Sequence, residues 1–269
     1  MSIATLIGFL AGIGLFLGAI YSSTDNYMSF VSGSSIVMVL GGTLSATFIG
    51  YQARYVMLAL RDIGFLFVKG KVDRKMLTLE TGKIIRWGYL VKKQGLLALE
   101  KEIKGAKSQD HFLNYGIELV ISGYSGDEVR SMLTAASTGA FQRAMVQADI
   151  LKNMAAAAPA FGMIGTLVGL IVMLQSLGTD PDGIGTGLAV AMLTTLYGVL
   201  LARLVFIPSS SKVIQKEGIT RFRNFLVTEG FSMLADHKSP RYIQDKMNSY
   251  LDPSIHYTID QKGGRKKAA

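Results

Sequence analysis

Four stretches almost free of charge constrain this chain more than any other feature: about Ile3 to Tyr21, Ser34 to Gly50, Met154 to Leu177 and Ile184 to Ile207. Each reaches, or nearly reaches, the roughly 20 apolar residues that a helix needs to cross a bilayer. The third contains "AAPAFGMIGTLVGL", residues 157–170, with one proline and three glycines. These two residue types most weaken a water-soluble helix. Their presence in an apolar run implies a close neighbour pressed against it.

The charges are sorted as a membrane chain requires. Of the 28 Lys and Arg, 16 lie in residues 50–153 and 11 in residues 208–269, which leaves Arg203. The short stretches 22–33 and 178–183 have none and carry Asp25, Asp180 and Asp182 instead. The positive-inside rule reads this as two cytoplasmic segments and two short outer loops. The net charge of +9 is therefore topology, and no nucleic-acid partner is expected. Met1-Ser2 brings no basic leader and no small-residue cleavage site follows the first stretch, so it reads as a retained span. Both termini are then cytoplasmic and the protein is multi-pass in a membrane.

The predicted fold class is all-α: four transmembrane helices, a helical cytoplasmic domain between the second and third, and a helical C-terminal tail. The expected segments are a hairpin over 1–50, a cytoplasmic domain over 51–153, a second hairpin over 154–207 and a tail over 208–269. "YVMLALRDIGFLFV" and "LLALEKEI" place apolar residues at helical spacing beside charges. Ser125 and Glu128 have capping-box spacing, and "GGRKKAA" reads as a disordered basic tail.

Ala158, Gly162, Gly165 and Gly169 follow steps of 4, 3 and 4, so they share one helix face. Gly187, Ala191, Thr195, Gly198 and Ala202 repeat the device in the fourth stretch, and Gly8, Gly12, Gly14 and Gly18 mark the first. Such faces let another helix approach closely. Packing within the chain and packing against an additional partner helix are both open; two long faces on adjacent spans favour an added partner. Thr166, Thr194 and Thr195 are the main hydroxyls inside the third and fourth spans. Either they bond their own backbone four residues back or they line a hydrated path for a cation. No Asp, Glu, Lys or His lies within these two spans, so an ion relay would need a carboxylate from a partner.

Enzyme motifs are missing: there is no phosphate-binding loop with its lysine, no nucleophile elbow and no zinc pair. With no cysteine, and with His111, His237 and His256 far apart, no metal site is expected. No cofactor is expected beyond a transported ion.

"AAPAFGMIGTLVGLIVML" followed by "LAVAMLTTLYGVLLARLVFIP" resembles the MotA/PomA stator subunits of the bacterial flagellar motor. "ATLIGFLAGIG", "SIVMVLGGT", "GLLALE" and "DEVRSML" extend the resemblance over nearly the whole chain. ExbB and TolQ energisers share the core spans in a different order. An ion-driven unit coupled to a non-flagellar envelope process is therefore the alternative, with an inert membrane scaffold behind it.

The resemblance implies a homopentamer around two copies of a MotB/PomB-like single-span subunit. That partner's membrane Asp would bind the ion, and the ring would act on FliG of the rotor. Gly162, Gly165, Gly169 and Gly198 would then be where the ring packs around the partner. Pro159 and Pro208 match the family's hinge prolines, Pro208 at the end of span four. Thr166, Thr194 and Thr195 match ion-path positions that carry threonine in sodium-driven relatives, which favours Na+ over H+. Lys92 and Glu100 match the rotor-facing charges, and eight residues of helix would set them on one surface. Ser32 stands where a sodium-type relative has an outer-loop aspartate.

Overall fold

The computed structural model describes residues 3–64, 74–95, 98–100, 110–177 and 181–257. The expected basic tail, and part of "LLALEKEI", lie outside them. The chain begins with α1 (Ile3–Ser23) and a 3-10 turn (Tyr27–Phe30). The second span follows in three pieces: α2 (Gly33–Ile36), a π turn (Val37–Gly41) and α3 (Gly42–Gly50). Next come α4 (Ala53–Gly64), α5 (Arg74–Gln94) and α6 (His111–Ile121). α7 (Gly126–Gln175) and α8 (Pro181–Leu200) carry the third and fourth spans. A π turn (Leu201–Phe206) leads from α8 into α9 (Ile207–Ala235), and α10 (Pro240–Ser249) and a 3-10 turn (Pro253–Ile255) close the described chain.

Every regular element among the described residues is helical, and four helices are long and apolar enough to cross a membrane. The all-α, four-span expectation holds. The third and fourth spans are, however, only parts of longer helices that run over Gly126–Gln175 and Gly183–Ala235.

The chain divides into two compact units, Met1–Lys69 with Arg143–Gln215, and Gly70–Gln142 with Lys216–Ala269. These borders differ from the expected ones at 50, 153 and 207, for a packing reason. α4 turns Val56 and Ala59 fully inward, and Ala59 joins a cluster with Ala148, Leu151, Met154, Phe206 and Val213. Asn153 donates its side-chain amide to the Tyr51 hydroxyl, and Ser210 Oγ donates to the Ala148 carbonyl at 2.8 Å. The membrane unit thus includes α4 and the adjoining turns of α7 and α9.

The second unit is a helical bundle around Ile84, Ile85, Leu133, Phe231, Leu234, Ile243 and Met247. Each such side chain contributes roughly 1.5–3 kcal/mol when fully buried. Close fit shows at Gly230, where an added Cβ would lie 2.7 Å from Ile84 Cγ2. Inside the bundle, Arg223 is 3% exposed and Glu80 6%, so neither charge is offset by water. Arg223 Nε and Nη2 donate to the two Glu80 oxygens, both at 2.5 Å, and Nη2 lies 2.6 Å from Asp110 Oδ2. The other Asp110 oxygen caps α6, accepting from the Phe112 and Leu113 amides. Burial works against the Arg223 charge, but the bond and charge of Glu80, with Asp110 behind it, win and raise its pKa.

The predicted capping box is formed at the start of α7, in this second unit and outside the spans. Glu128 Oε2 accepts from the Ser125 amide at 2.9 Å and from the Ser125 hydroxyl at 2.8 Å. These bonds hold the Glu128 carboxyl below its ordinary 4.5. Because the folded pKa is depressed, the cap's contribution is complete above that ordinary value and is lost as pH falls through the lowered one. Glu128→Gln is therefore expected to lower the unfolding midpoint at pH 7, and the gap to the unmodified chain should shrink as pH falls below 4.5. A gap that does not change with pH would show that the carboxylate does not hold the cap.

Candidate functional site

α7 and α8 meet along their small residues. A Cβ added at Gly169 would sit 2.6 Å from both Ala191 N and Gly187 O. At Gly187 it would meet Met173 N at 2.7 Å, and at Gly162 it would meet Thr194 O at 2.8 Å. At Gly198 the Ala158 carbonyl lies 2.6 Å away and Pro159 Cα 3.1 Å. Real Cβ atoms do not approach backbone this closely, so these positions require glycine for contact between two backbones. The pairs 158 with 198 and 173 with 187 make the crossing antiparallel.

This corrects the expectation that Gly162, Gly165, Gly169 and Gly198 receive a partner helix. The space above each is filled by the neighbouring span of the same chain. Gly165 is the clearest case, because its notch holds the side chain of Thr194, whose Cγ2 is 2.5 Å from the added Cβ. By contrast, Gly8, Gly14 and Gly18 on α1 have nothing within 4 Å, and only Gly12 meets a neighbour, Leu204 Cδ2 at 3.3 Å.

The three threonines are not equivalent. Thr194 is 0% exposed, and its hydroxyl turns back to the Val190 and Ala191 carbonyls, both at 3.0 Å. Its oxygen is committed to its own helix and its methyl fills the Gly165 notch, which makes it a packing residue. Thr166 and Thr195 instead face each other across the two helices, with Oγ1 atoms 2.6 Å apart. Thr166 Oγ1 also lies 3.1 Å from the Gly162 carbonyl and 3.0 Å from the Ala191 carbonyl. Thr195 Oγ1 reaches the Gly162 carbonyl at 3.5 Å. Thr166 is half-buried and Thr195 exposed, so four oxygens gather at the edge of the helix contact. Two hydroxyls bring two protons to that cluster, and each can turn its proton to a carbonyl and a lone pair outward.

Pro159 lies inside α7 without ending it. Its missing N–H leaves the Ala155 carbonyl without a helical donor. Pro208, next after the apolar stretch that ends at Ile207, does not stop the helix: α9 runs through it to Ala235. The π turn just before it widens the helix, with the Ile207 amide bonding the Ala202 carbonyl five residues back, and this absorbs the proline ring. Ser209 Oγ then donates to the Val205 carbonyl at 2.7 Å.

Lys92 and Glu100 do not share a helix. α5 ends at Gln94, and Gly95 takes φ +76°, the left-handed cap conformation that only glycine adopts freely. Lys92 is exposed in the last turn of α5, and Glu100 is half-buried in a separate helical stretch at 98–100. Ser32 is the N-cap of α2, where it accepts from the Ser35 amide and from Ser35 Oγ at 2.9 Å.

Sequence reasoning missed three contributors. The Gly162 and Ala191 carbonyls carry no side-chain signal at all. Tyr197 did carry one, since a phenol inside a span must find a polar partner. Its hydroxyl donates to the Phe30 carbonyl at 2.5 Å and accepts from the Ser32 amide at 3.1 Å.

Residues 104–223 match the MotA/TolQ/ExbB proton channel family. Chemotaxis protein PomA of Vibrio alginolyticus is 31% identical over 94% of this chain and 96% of its own length. The chain belongs to the MotA/PomA family of flagellar motor stator subunits. Motility protein A of Borreliella burgdorferi is 30% identical over 98% of this chain and 99% of its own. The MotA/PomA fold is equally plain in solved structures. MotAB of C. jejuni superposes with a TM-score of 0.83 at 20% identity, covering 94% of this chain and 97% of that one. The flagellar MotAB stator complex of Bacillus subtilis gives 0.80 at 23% identity, covering 100% and 99%. Membership makes the two apolar hairpins a multi-pass membrane module, and it sets the oxygen cluster in a protein of ion-channel lineage.

Proposed function

We propose that this MotA/PomA-family chain couples sodium flow to torque, with the Thr166–Thr195 edge of the α7–α8 contact supplying oxygens to the passing ion. One observation carries this reading: two hydroxyls 2.6 Å apart, backed by two backbone carbonyls, in spans without an acidic residue. Hydroxyl and carbonyl oxygens are ligands suited to a hard monovalent cation. They do not titrate, so the group that alternates between charged and neutral must come from elsewhere.

A MotB/PomB-like single-span subunit with a membrane Asp fits that need, and the MotAB complexes among the structural relatives support such a partner. In this reading five copies surround a partner dimer in the inner membrane, both termini are cytoplasmic, and the second unit faces FliG. Lys92 and Glu100 contribute to that face from separate elements. Neutralising the partner's Asp as the ion binds changes its fit against the oxygen-lined edge, and this difference drives rotation.

The test uses tethered cells lacking their own stators, with this chain co-expressed with its partner and external sodium varied at fixed pH. Speed should rise with sodium and vanish without it. Thr166→Val and Thr195→Val should each raise the half-saturating sodium concentration about tenfold, equivalent to ~1.4 kcal/mol. Thr194→Val should leave that concentration unchanged, because it keeps the shape that fills the Gly165 notch. Rotation indifferent to sodium would make the ion a proton. Equal effects from all three changes would remove the distinction between ligand and packing threonines.

A further inference from the structure

Tyr197 stands on α8 two residues beyond Thr195, about 200° further round the helix. The two residues therefore flank the stripe of Gly187, Ala191, Thr194 and Gly198 that lies against α7, one on each edge. Thr195 ties its edge to Thr166. On the other edge, the half-buried Tyr197 bonds the Phe30 carbonyl and the Ser32 amide. Phe30 ends the 3-10 turn and Ser32 precedes α2. Groups at such positions have incomplete helical pairing of their own.

A contact made of glycine and alanine backbones offers few side chains to resist rotation of α8 about its axis. Thr194 in the Gly165 notch fixes the height of α8 along α7 but sits near the centre of the stripe, where it resists turning least. A turn of about 10° moves a side-chain atom ~5 Å from the axis by roughly 0.9 Å. That is enough to stretch the 2.6 Å contact between Thr166 and Thr195 beyond hydrogen-bonding distance.

We infer that Tyr197 is a positioning residue for the ion-path pair: by tying α8 to the start of the second span, it sets the rotation at which Thr195 meets Thr166. This rests on the ion-path reading of those two threonines. The chain has no cysteine, so a T166C/T195C double variant reports the approach of the two positions without background. Cross-linking is measured in membranes, on the full chain co-expressed with its partner, with and without Tyr197→Phe, and normalised to the amount of protein.

Removing the phenol oxygen should slow disulfide formation between positions 166 and 195 about fivefold. In the chain that keeps both threonines, it should raise the half-saturating sodium concentration for rotation in the same direction as Thr195→Val. An unchanged cross-linking rate overturns the inference, whatever the motor does. So does a drop in protein level that scales speed equally at all sodium concentrations, which is what a purely structural hydrogen bond would give. If Tyr197→Phe slows the cross-link while Thr195→Val itself leaves the sodium response untouched, Tyr197 still positions the pair and the ion-path reading is what fails.

Discussion

Gly169→Val is expected to abolish motility and to lower the stability of the detergent-purified protein by ~3 kcal/mol or more. An added Cβ there collides at 2.6 Å with Ala191 N and Gly187 O. Both are backbone atoms of a helix that cannot yield at one residue alone. Overpacking an ordinary core typically costs about 1–3 kcal/mol because side chains relax; here none is available to move. The matched control is Gly14→Val on α1, where nothing lies within 4 Å of the added carbon, and it should leave the isolated chain's melting temperature within error. Thermal unfolding of the two variants side by side decides the matter. If Gly169→Val melts with the parent, the two spans are not in backbone contact.

The second large effect is in the other unit. Arg223→Met should lower stability by about 3–5 kcal/mol, because it strands Glu80 as a buried charge with no counter-ion. Arg223→Lys should fall between the two, since an ammonium keeps the charge but cannot bridge both Glu80 oxygens and Asp110 in the same geometry. Adding Glu80→Met to Arg223→Met should recover most of the loss, because the stranded charge then disappears. Chemical or thermal unfolding of the three variants measures this. A loss under about 1 kcal/mol for Arg223→Met would mean that water reaches Glu80 and that the pair is not dry.

The spans were legible because hydropathy and charge sorting are written in the sequence itself. So was the glycine face, from its spacing of 4, 3 and 4. What covers that face was not legible, because a smooth helix side has the same composition whether its neighbour belongs to the same chain or to another. Thr194 and Thr195 are adjacent and chemically identical; only the 100° between them separates a packing methyl from a hydroxyl that meets Thr166. The break between Lys92 and Glu100 has a readable sign in Gly95, whose φ of +76° ends α5. The passage of α9 through Pro208 had none, since the π turn that precedes it has no distinctive residue in the sequence. Arg223 reads as one more charge on an amphipathic helix, and its partner Glu80 lies 143 residues away.

The absence of acidic groups from the third and fourth spans also bears on how such a machine is made safely. A bilayer insulates because moving a bare ion into it is costly, and fixed charge of opposite sign is what lowers that barrier. Two spans that offer only neutral oxygens leave that barrier high by themselves. On the proposed reading, copies of this chain made alone would then be electrically silent, and conduction would await the second polypeptide that brings the missing charge.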